Sequence, residues 1–152
     1  MGLLEIVLPG FKPSCLRLDV FKEVEADPSD KTVEEATGQA RAANANFVIG
    51  FCGCSLMDVA KLVALLAHPE CKQPLSSMYG VGNAKGARLP LMQVPTTAGT
   101  GSEVTPIAIV TTGETTKAGV VSPVLQPDMP FLDADLTKGM AAQGTGATGR
   151  VA

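Results

Sequence analysis

The spacing of apolar residues divides the chain into alternating helices and strands. Over residues 31–43, Val33, Ala36, Ala40 and Ala43 fall along one stripe, the period of a helix with a single buried face. The turn Asp27-Pro28-Ser29 precedes it, and Ser29 or Asp30 can cap it. Leu56, Val59, Val63 and Leu66 repeat at the same spacing, predicting a second helix from Ser55 to the region of His68-Pro69. Between them Phe47-Val48-Ile49-Gly50-Phe51 is apolar throughout, as expected of a strand covered on both faces of a parallel sheet. Residues 90–94 also read as a strand. Leu16-Arg17-Leu18-Asp19-Val20-Phe21 alternates instead, the pattern of a half-buried strand.

The remaining segments are shorter. Residues 3–8 read as a fragment of helix stopped by Pro9-Gly10 and Pro13. Residues 70–88, rich in Gly, Ser, Lys and Asn, predict a long irregular connection. Residues 107–112 and 118–122 flank Gly113-Glu114 as the arms of a β-hairpin, expected over the ligand edge of the sheet, and 129–133 is a last short strand. Residues 144–149 hold too little apolar content for a packed element. The alternation of strands and helices gives an α/β fold with a mainly parallel sheet and a β-hairpin.

Composition narrows the function classes. The 152 residues suffice for one domain, 1–152, and are short for two. Only 4% are aromatic, so the core rests on Val, Leu, Ile, Ala and Met. A net charge of −3 leaves no electrostatic footprint for nucleic acid or an anionic membrane. No apolar stretch reaches the roughly 18 residues of a membrane span. The start, Met1-Gly2-Leu3-Leu4-Glu5, lacks the charged region of a signal peptide, and the expected compartment is the cytoplasm. Cys15, Cys52, Cys54 and Cys71 have no zinc-site spacing, and the single histidine, His68, cannot complete one. Free thiols are expected.

The chemistry concentrates in two places. After the strand at 90–94 come Pro95, Thr96, Thr97, Ala98, Gly99, Thr100, Gly101, Ser102, Glu103, Val104 and Thr105. Small polar residues directly behind an apolar strand describe a loop at the carboxyl edge of a sheet, where ligands bind in open α/β folds. Hydroxyls and free N–H groups there suit phosphate or ribose, although composition alone also fits a solvated loop. Gly53 and Ser55, between a strand and a helix, suit the close approach of a pyrophosphate to a helix N-terminus. The plain structural alternatives are that Ser55 caps the helix, Asp58 answers its dipole, and Lys117 is a solvated hairpin charge.

Residues 94–105 resemble the PTTAGTGSEVT signature of the iron-containing (group III) alcohol dehydrogenases. Residues 49–61 are similar to that family's IGxGGGSxxDxAK segment, and 117–123 (KAGVVSP), Pro127-Asp128, Leu132-Asp133 and Leu136-Thr137 follow in order. The resemblance runs from about residue 21 to 149 and implies a Rossmann-like, dinucleotide-binding α/β unit. It implies NAD or NADP as cofactor, with contacts from Gly53, Ser55, Asp58, Thr96, Thr97, Thr100, Thr105, Lys117 and Leu136.

Departures from the family pattern shape the remaining expectations. Cys52 and Cys54 stand where the family has glycines; a positive φ at either would strain the backbone, and a thiol would crowd the pyrophosphate, so binding is expected to be weak. The family's divalent metal is held by an aspartate and three histidines. The aspartate's position here falls on Val151, within Thr148-Gly149-Arg150-Val151-Ala152, and the histidines belong to a helical domain that the resemblance does not reach. The family's first strand–helix segment is not matched either. The expectation is a truncated nucleotide-binding portion with no metal, no catalytic residue and no dehydrogenase turnover of its own. Two other functions stay open: a catalytically silent fold whose uncovered apolar face binds a partner or forms a homo-oligomer, and a small hydrolase pairing His68 with a hydroxyl nucleophile, for which no G-x-S-x-G elbow is present.

Overall fold

The computed structural model describes residues 8–10, 17–113 and 115–138. Residues 3–7 of the expected opening helix, Cys15, Glu114, residues 144–149 and the Val151 position lie outside them. Residues 8–10, with Pro9 and Gly10 among them, are helical.

Helix α1 spans Asp30–Ala42 and opens at Ser29, whose hydroxyl accepts the Thr32 N–H at 3.2 Å. It ends where Asn44 enters the left-handed region at φ 51°. Val33 and Ala36 are buried, as their spacing requires. Strand β1 is Val48–Cys52 and helix α2 is Cys54–Leu66. After a 3-10 turn at Leu75–Ser77 come β2 (Gly80–Val81) and β3 (Leu91–Pro95). A second 3-10 turn, Ser102–Val104, leads into the hairpin of β4 (Ile107–Thr112) and β5 (Thr116–Val121). The described chain closes with β6 (Met129–Pro130) and the short helix α3 (Ala134–Thr137). Among the described residues no helix is long and apolar enough to cross a membrane.

Among the described residues there are two three-stranded sheets. The first is parallel throughout, in the order β1-β3-β6, with Val48 opposite Leu91 and Cys52 opposite Pro95. The second runs β2-β5-β4, where β4 and β5 are antiparallel and β2 lies parallel to β5. The hairpin turns at Gly113, φ 61°. Arg88 fastens β6: its guanidinium meets Asp128 at 2.6 Å, and the same carboxylate accepts the Leu91 N–H of β3 at 2.8 Å. That contact holds the Asp128 carboxyl below its ordinary pKa.

Helix α2 is the centre of the packing. It contacts β1, β3, β4 and α1, and its residues 59–66 are buried without a break. A helix covered on all sides must be apolar all round, which explains why its stripe is broader than the four residues that predict it. Gly50 lets β1 come close to α2: a Cβ there would meet Gln93 Oε1 at 2.0 Å and the Ala60 Cβ at 2.9 Å.

One cation lies inside this apolar helix. Lys61 is fully buried, and its ammonium donates to Asp58 Oδ1 (3.2 Å), Ser102 Oγ (3.0 Å), Thr105 Oγ1 (3.3 Å) and the Ile107 carbonyl (2.6 Å). Burial pushes its pKa below the ordinary 10.5, while Asp58 pulls it back up.

Two expectations are corrected. The alternating segment at 16–21 forms no strand over its described part, 17–21. The Val20 carbonyl takes its hydrogen bond from the Gln39 side chain of α1, and Phe21 packs on the core without a neighbouring ladder. The connection at 70–88 is also less irregular than its composition suggests, because β2 finds a partner in β5, about 40 residues on.

Three outcomes test this architecture. Gly50→Ala is expected to destabilise the chain by about 1–3 kcal/mol in urea unfolding, since a new Cβ overlaps Gln93 and Ala60. Cys52 has φ 141°, whereas Cys54 is the first residue of α2. Cys52→Gly should therefore raise stability by about 1 kcal/mol, strain relieved less the entropy of glycine, and Cys54→Gly should lower it. The third concerns Lys61. Its depressed pKa means the folded chain binds fewer protons than the unfolded one between the folded pKa and 10.5, so this group makes stability rise with pH across that window. Measured by urea melts at stepped pH, the native chain should gain on Lys61→Met as pH climbs toward 10.5, and a falling difference would contradict the sign.

Candidate functional site

The two chemistry-bearing motifs meet because β1 and β3 are adjacent and parallel. Their carboxyl ends, Cys52 and Pro95, stand opposite each other, so the chain leaves both strands on the same edge. From β1 it passes Gly53, the N-cap of α2, at φ −76° and ψ −179°. Gly53 has no side chain to answer the first N–H groups of the helix, and they remain available to a ligand. From β3 it enters the hydroxyl loop, whose Gly99 (φ 120°) and Gly101 (φ 66°) make turns that a Cβ would resist.

The structure brings Gly53, Ser55, Thr96, Thr97 and Thr100 to this edge. The Thr96 N–H donates to the Cys52 carbonyl at 3.2 Å, and its hydroxyl lies 3.6 Å from Cys52 Sγ. Cys54 Sγ donates to Thr100 Oγ1 at 3.0 Å. The Thr97 side chain sits beside Gly53, 3.8 Å from where a Cβ would stand. Its hydroxyl oxygen is buried and has no partner among the described residues, which leaves one polar group unanswered at the edge. Ser55 is half-buried in the first turn of α2.

Asp58 and Thr105 are drawn one turn deeper. Asp58 Oδ1 accepts from Lys61 and Ser102, and Oδ2 accepts the Ile109 N–H at 3.1 Å, so both oxygens have partners inside the protein. Thr105 accepts from Lys61. Lys117 sits on β5 and forms an ion pair with Asp27, and Leu136 is half-buried on α3. Of the two cysteines at glycine positions, only Cys52 has a positive φ; Cys54 lies in helical geometry that any residue adopts. The strain expected at either position thus falls on Cys52 alone.

Lys61 is the residue that the sequence reading passed over. Its signal was present as Asp58-x-x-Lys61, an acid and a base three apart on one helix face amid otherwise apolar positions. His68 is at the opposite end of α2, where its Nδ1 accepts the Glu70 N–H at 3.3 Å. A helix of 13 residues is about 20 Å long at ~1.5 Å per residue, so His68 cannot serve the hydroxyls at 96–105 as a base. The hydrolase reading has no support. An open cavity of about 820 Å³, with Arg41, Asn44, His68 and Cys71 in its lining, lies at that same far end and contains none of the residues expected to hold a nucleotide. Among the described residues no group of three or more His, Cys, Asp or Glu is placed to hold a metal ion. These residues do not fit an iron site.

Comparison with known proteins supplies the family. Residues 1–134 match the model for "Iron-containing alcohol dehydrogenase". The chain is 35% identical over 131 residues to sulfoacetaldehyde reductase of Bilophila wadsworthia, covering 86% of this chain and 33% of that protein. It is 35% identical over 150 residues to long-chain-alcohol dehydrogenase 1 of Geobacillus thermodenitrificans, covering 98% and 38%. Among solved structures, an iron-containing alcohol dehydrogenase from Thermotoga maritima aligns with a TM-score of 0.85 at 36% identity, covering 97% of this chain and 40% of that one. Sulfoacetaldehyde reductase from Bifidobacterium kashiwanohense in complex with NAD+ aligns with a TM-score of 0.82 at 28% identity, covering 97% and 41%. The chain thus spans well under half the length of these relatives. A Rossmann-like α/β unit with this loop and this glycine turn, matched by the family model over most of its length, belongs to the iron-containing alcohol dehydrogenase family.

Proposed function

We propose that this chain is a single dinucleotide-binding unit, the NAD(P)-holding part of an alcohol or aldehyde oxidoreductase. The observation that carries the reading is the meeting of the uncapped α2 N-terminus with the unpartnered Thr97 hydroxyl across the β1–β3 edge. Backbone N–H groups around Gly53 and Ser55 suit the pyrophosphate, where the helix dipole favours negative charge. Thr96, Thr97 and Thr100 offer hydroxyls to phosphate, ribose or nicotinamide. Lys117 and Leu136 are assigned a ribose contact and an apolar contact. Bound nicotinamide supplies the hydride acceptor or donor, and the chain's own part is to hold and orient it.

Cys52 limits this binding. Its side chain stands at the turn where the family has glycine, so the pyrophosphate cannot approach the backbone as closely. The only histidine of the chain is remote from the edge, and the described residues offer no metal cluster. The chain alone is therefore assigned cofactor binding without alcohol-dependent turnover. Self-association is the second reading, supported by the exposed side chains of Met129, Phe131 and Leu132 along and beyond the edge strand β6. Light scattering at high micromolar concentration reads it, and a clean monomer counts against it.

Calorimetry with NADH and with NADPH tests the main reading. Weak binding is expected from the native chain, and Cys52→Gly should tighten it by about tenfold, equivalent to ~1.4 kcal/mol. Neither form should reduce NAD in the presence of alcohol. Absence of binding at millimolar ligand in both forms would overturn the assignment.

A further inference from the structure

The hydroxyl loop at 96–101 is anchored differently at its two ends. Upstream it continues β3, which is laddered to β1 as far as Cys52 and Pro95 and extended by the Thr96 N–H bond to the Cys52 carbonyl. Downstream the backbone of 101–105 makes local turns, Val104 N–H to the Gly101 carbonyl and Thr105 N–H to the Ser102 carbonyl. Residues outside α2 also hold the segment: the Gln126 side chain donates to the Val104 carbonyl at 2.9 Å, and the Ser122 N–H to the Pro106 carbonyl at 3.0 Å. Both glycines of the loop, one on each side of Thr100, have positive φ.

What ties this returning segment to α2 is mainly side-chain chemistry. Three of the four Lys61 acceptors, Ser102 Oγ, Thr105 Oγ1 and the Ile107 carbonyl, lie on the stretch 102–107. The fourth is Asp58, one turn earlier on α2, and Ser102 closes the circle by donating to the same Asp58 oxygen at 2.9 Å. Asp58 then reaches the start of the hairpin through the Ile109 N–H. An apolar side chain of similar length would fill the Lys61 space without desolvating a charge. Burial pushes the Lys61 pKa down while Asp58 raises it, and the ammonium is matched by four acceptors.

We propose that Lys61, acting with Asp58, is the positioning residue of the nucleotide edge: it bolts the return of the hydroxyl loop to α2 and so keeps Thr97 and Thr100 beside the helix N-terminus. Both Asp58 oxygens and the Lys61 ammonium are engaged within the protein, so the pair acts from inside rather than as a ligand contact. The effect on affinity rests on the nucleotide reading above, whereas the effect on loop order does not.

The test uses the full chain with Lys61→Met and, separately, Ser102→Ala. Amide hydrogen exchange is read without nucleotide, beside thermal melting and NADH calorimetry. Lys61→Met should keep a cooperative melt and the protection of β1 and β3. Exchange at Val104, Thr105 and Ile109 should accelerate by about tenfold or more, and NADH binding should weaken by at least about tenfold. Ser102→Ala removes one arm of the bolt and leaves the cation paired; it should accelerate the same amides by a smaller factor, and it decides the matter if Lys61→Met does not fold. Unchanged exchange at those amides, or loosening spread equally over β1 and β3, overturns the proposal. Should neither the native chain nor Cys52→Gly bind NADH, the nucleotide reading fails, and the exchange pattern alone decides the positioning role.

Discussion

Burial of α2 on every side is the constraint from which the rest follows. Over residues 59–66 the helix is enclosed by a parallel sheet, a second sheet and α1, with no solvent to receive a polar side chain, so a polar group there must find partners within the protein. Lys61 and Asp58 do so by reaching out to the segment 102–109. The need to satisfy one buried ammonium thereby joins the loop after β3 and the hairpin to the helix whose N-terminus faces the candidate ligand. Packing and site geometry depend on the same pair of side chains.

At the other face of α2 the fit is steric. Gly50 and Ala60 bring strand and helix together so closely that Gln93 fills the remaining space, bonding to the Met57 carbonyl at 2.9 Å. This close approach fixes where α2 begins relative to the ends of β1 and β3. The Arg88–Asp128 contact does the equivalent for β6, tying a two-residue strand to β3 by charge-assisted hydrogen bonds that so short a ladder cannot supply. Cys52 runs against this order. It holds a non-glycine residue at positive φ on the turn between β1 and α2, and the surrounding contacts keep it there.

Much of this was legible in the sequence, because periodicity reports which faces are covered. Val33 and Ala36 marked α1; Leu56, Val59, Val63 and Leu66 marked α2; and the apolar runs at 47–51 and 90–94 gave β1 and β3 to within a residue or two. Thr111 and Gly113 fell in the second half of a strand and its turn, as the hairpin pattern requires. The motifs at 52–58 and 94–105 pointed to one edge, since parallel neighbours release their loops on the same side.

What the sequence alone could not determine were relations between distant residues. Alternation at 16–21 suggested a half-buried strand, but Leu18 is exposed and only Phe21 packs on the core, because a strand also needs a partner, and that is set by neighbours far along the chain. β2 exists for the opposite reason: a weak local signal at Gly80 and Val81 was paired by β5. Two cysteines at glycine positions look alike in sequence, and only the backbone path separated strained Cys52 from helical Cys54. Lys61 is the sharpest case. Its spacing from Asp58 was written in the helix, yet a lysine becomes a buried bolt only when folding places Ser102, Thr105 and Ile107 around it, and burial of a charge is a property of the assembled surroundings.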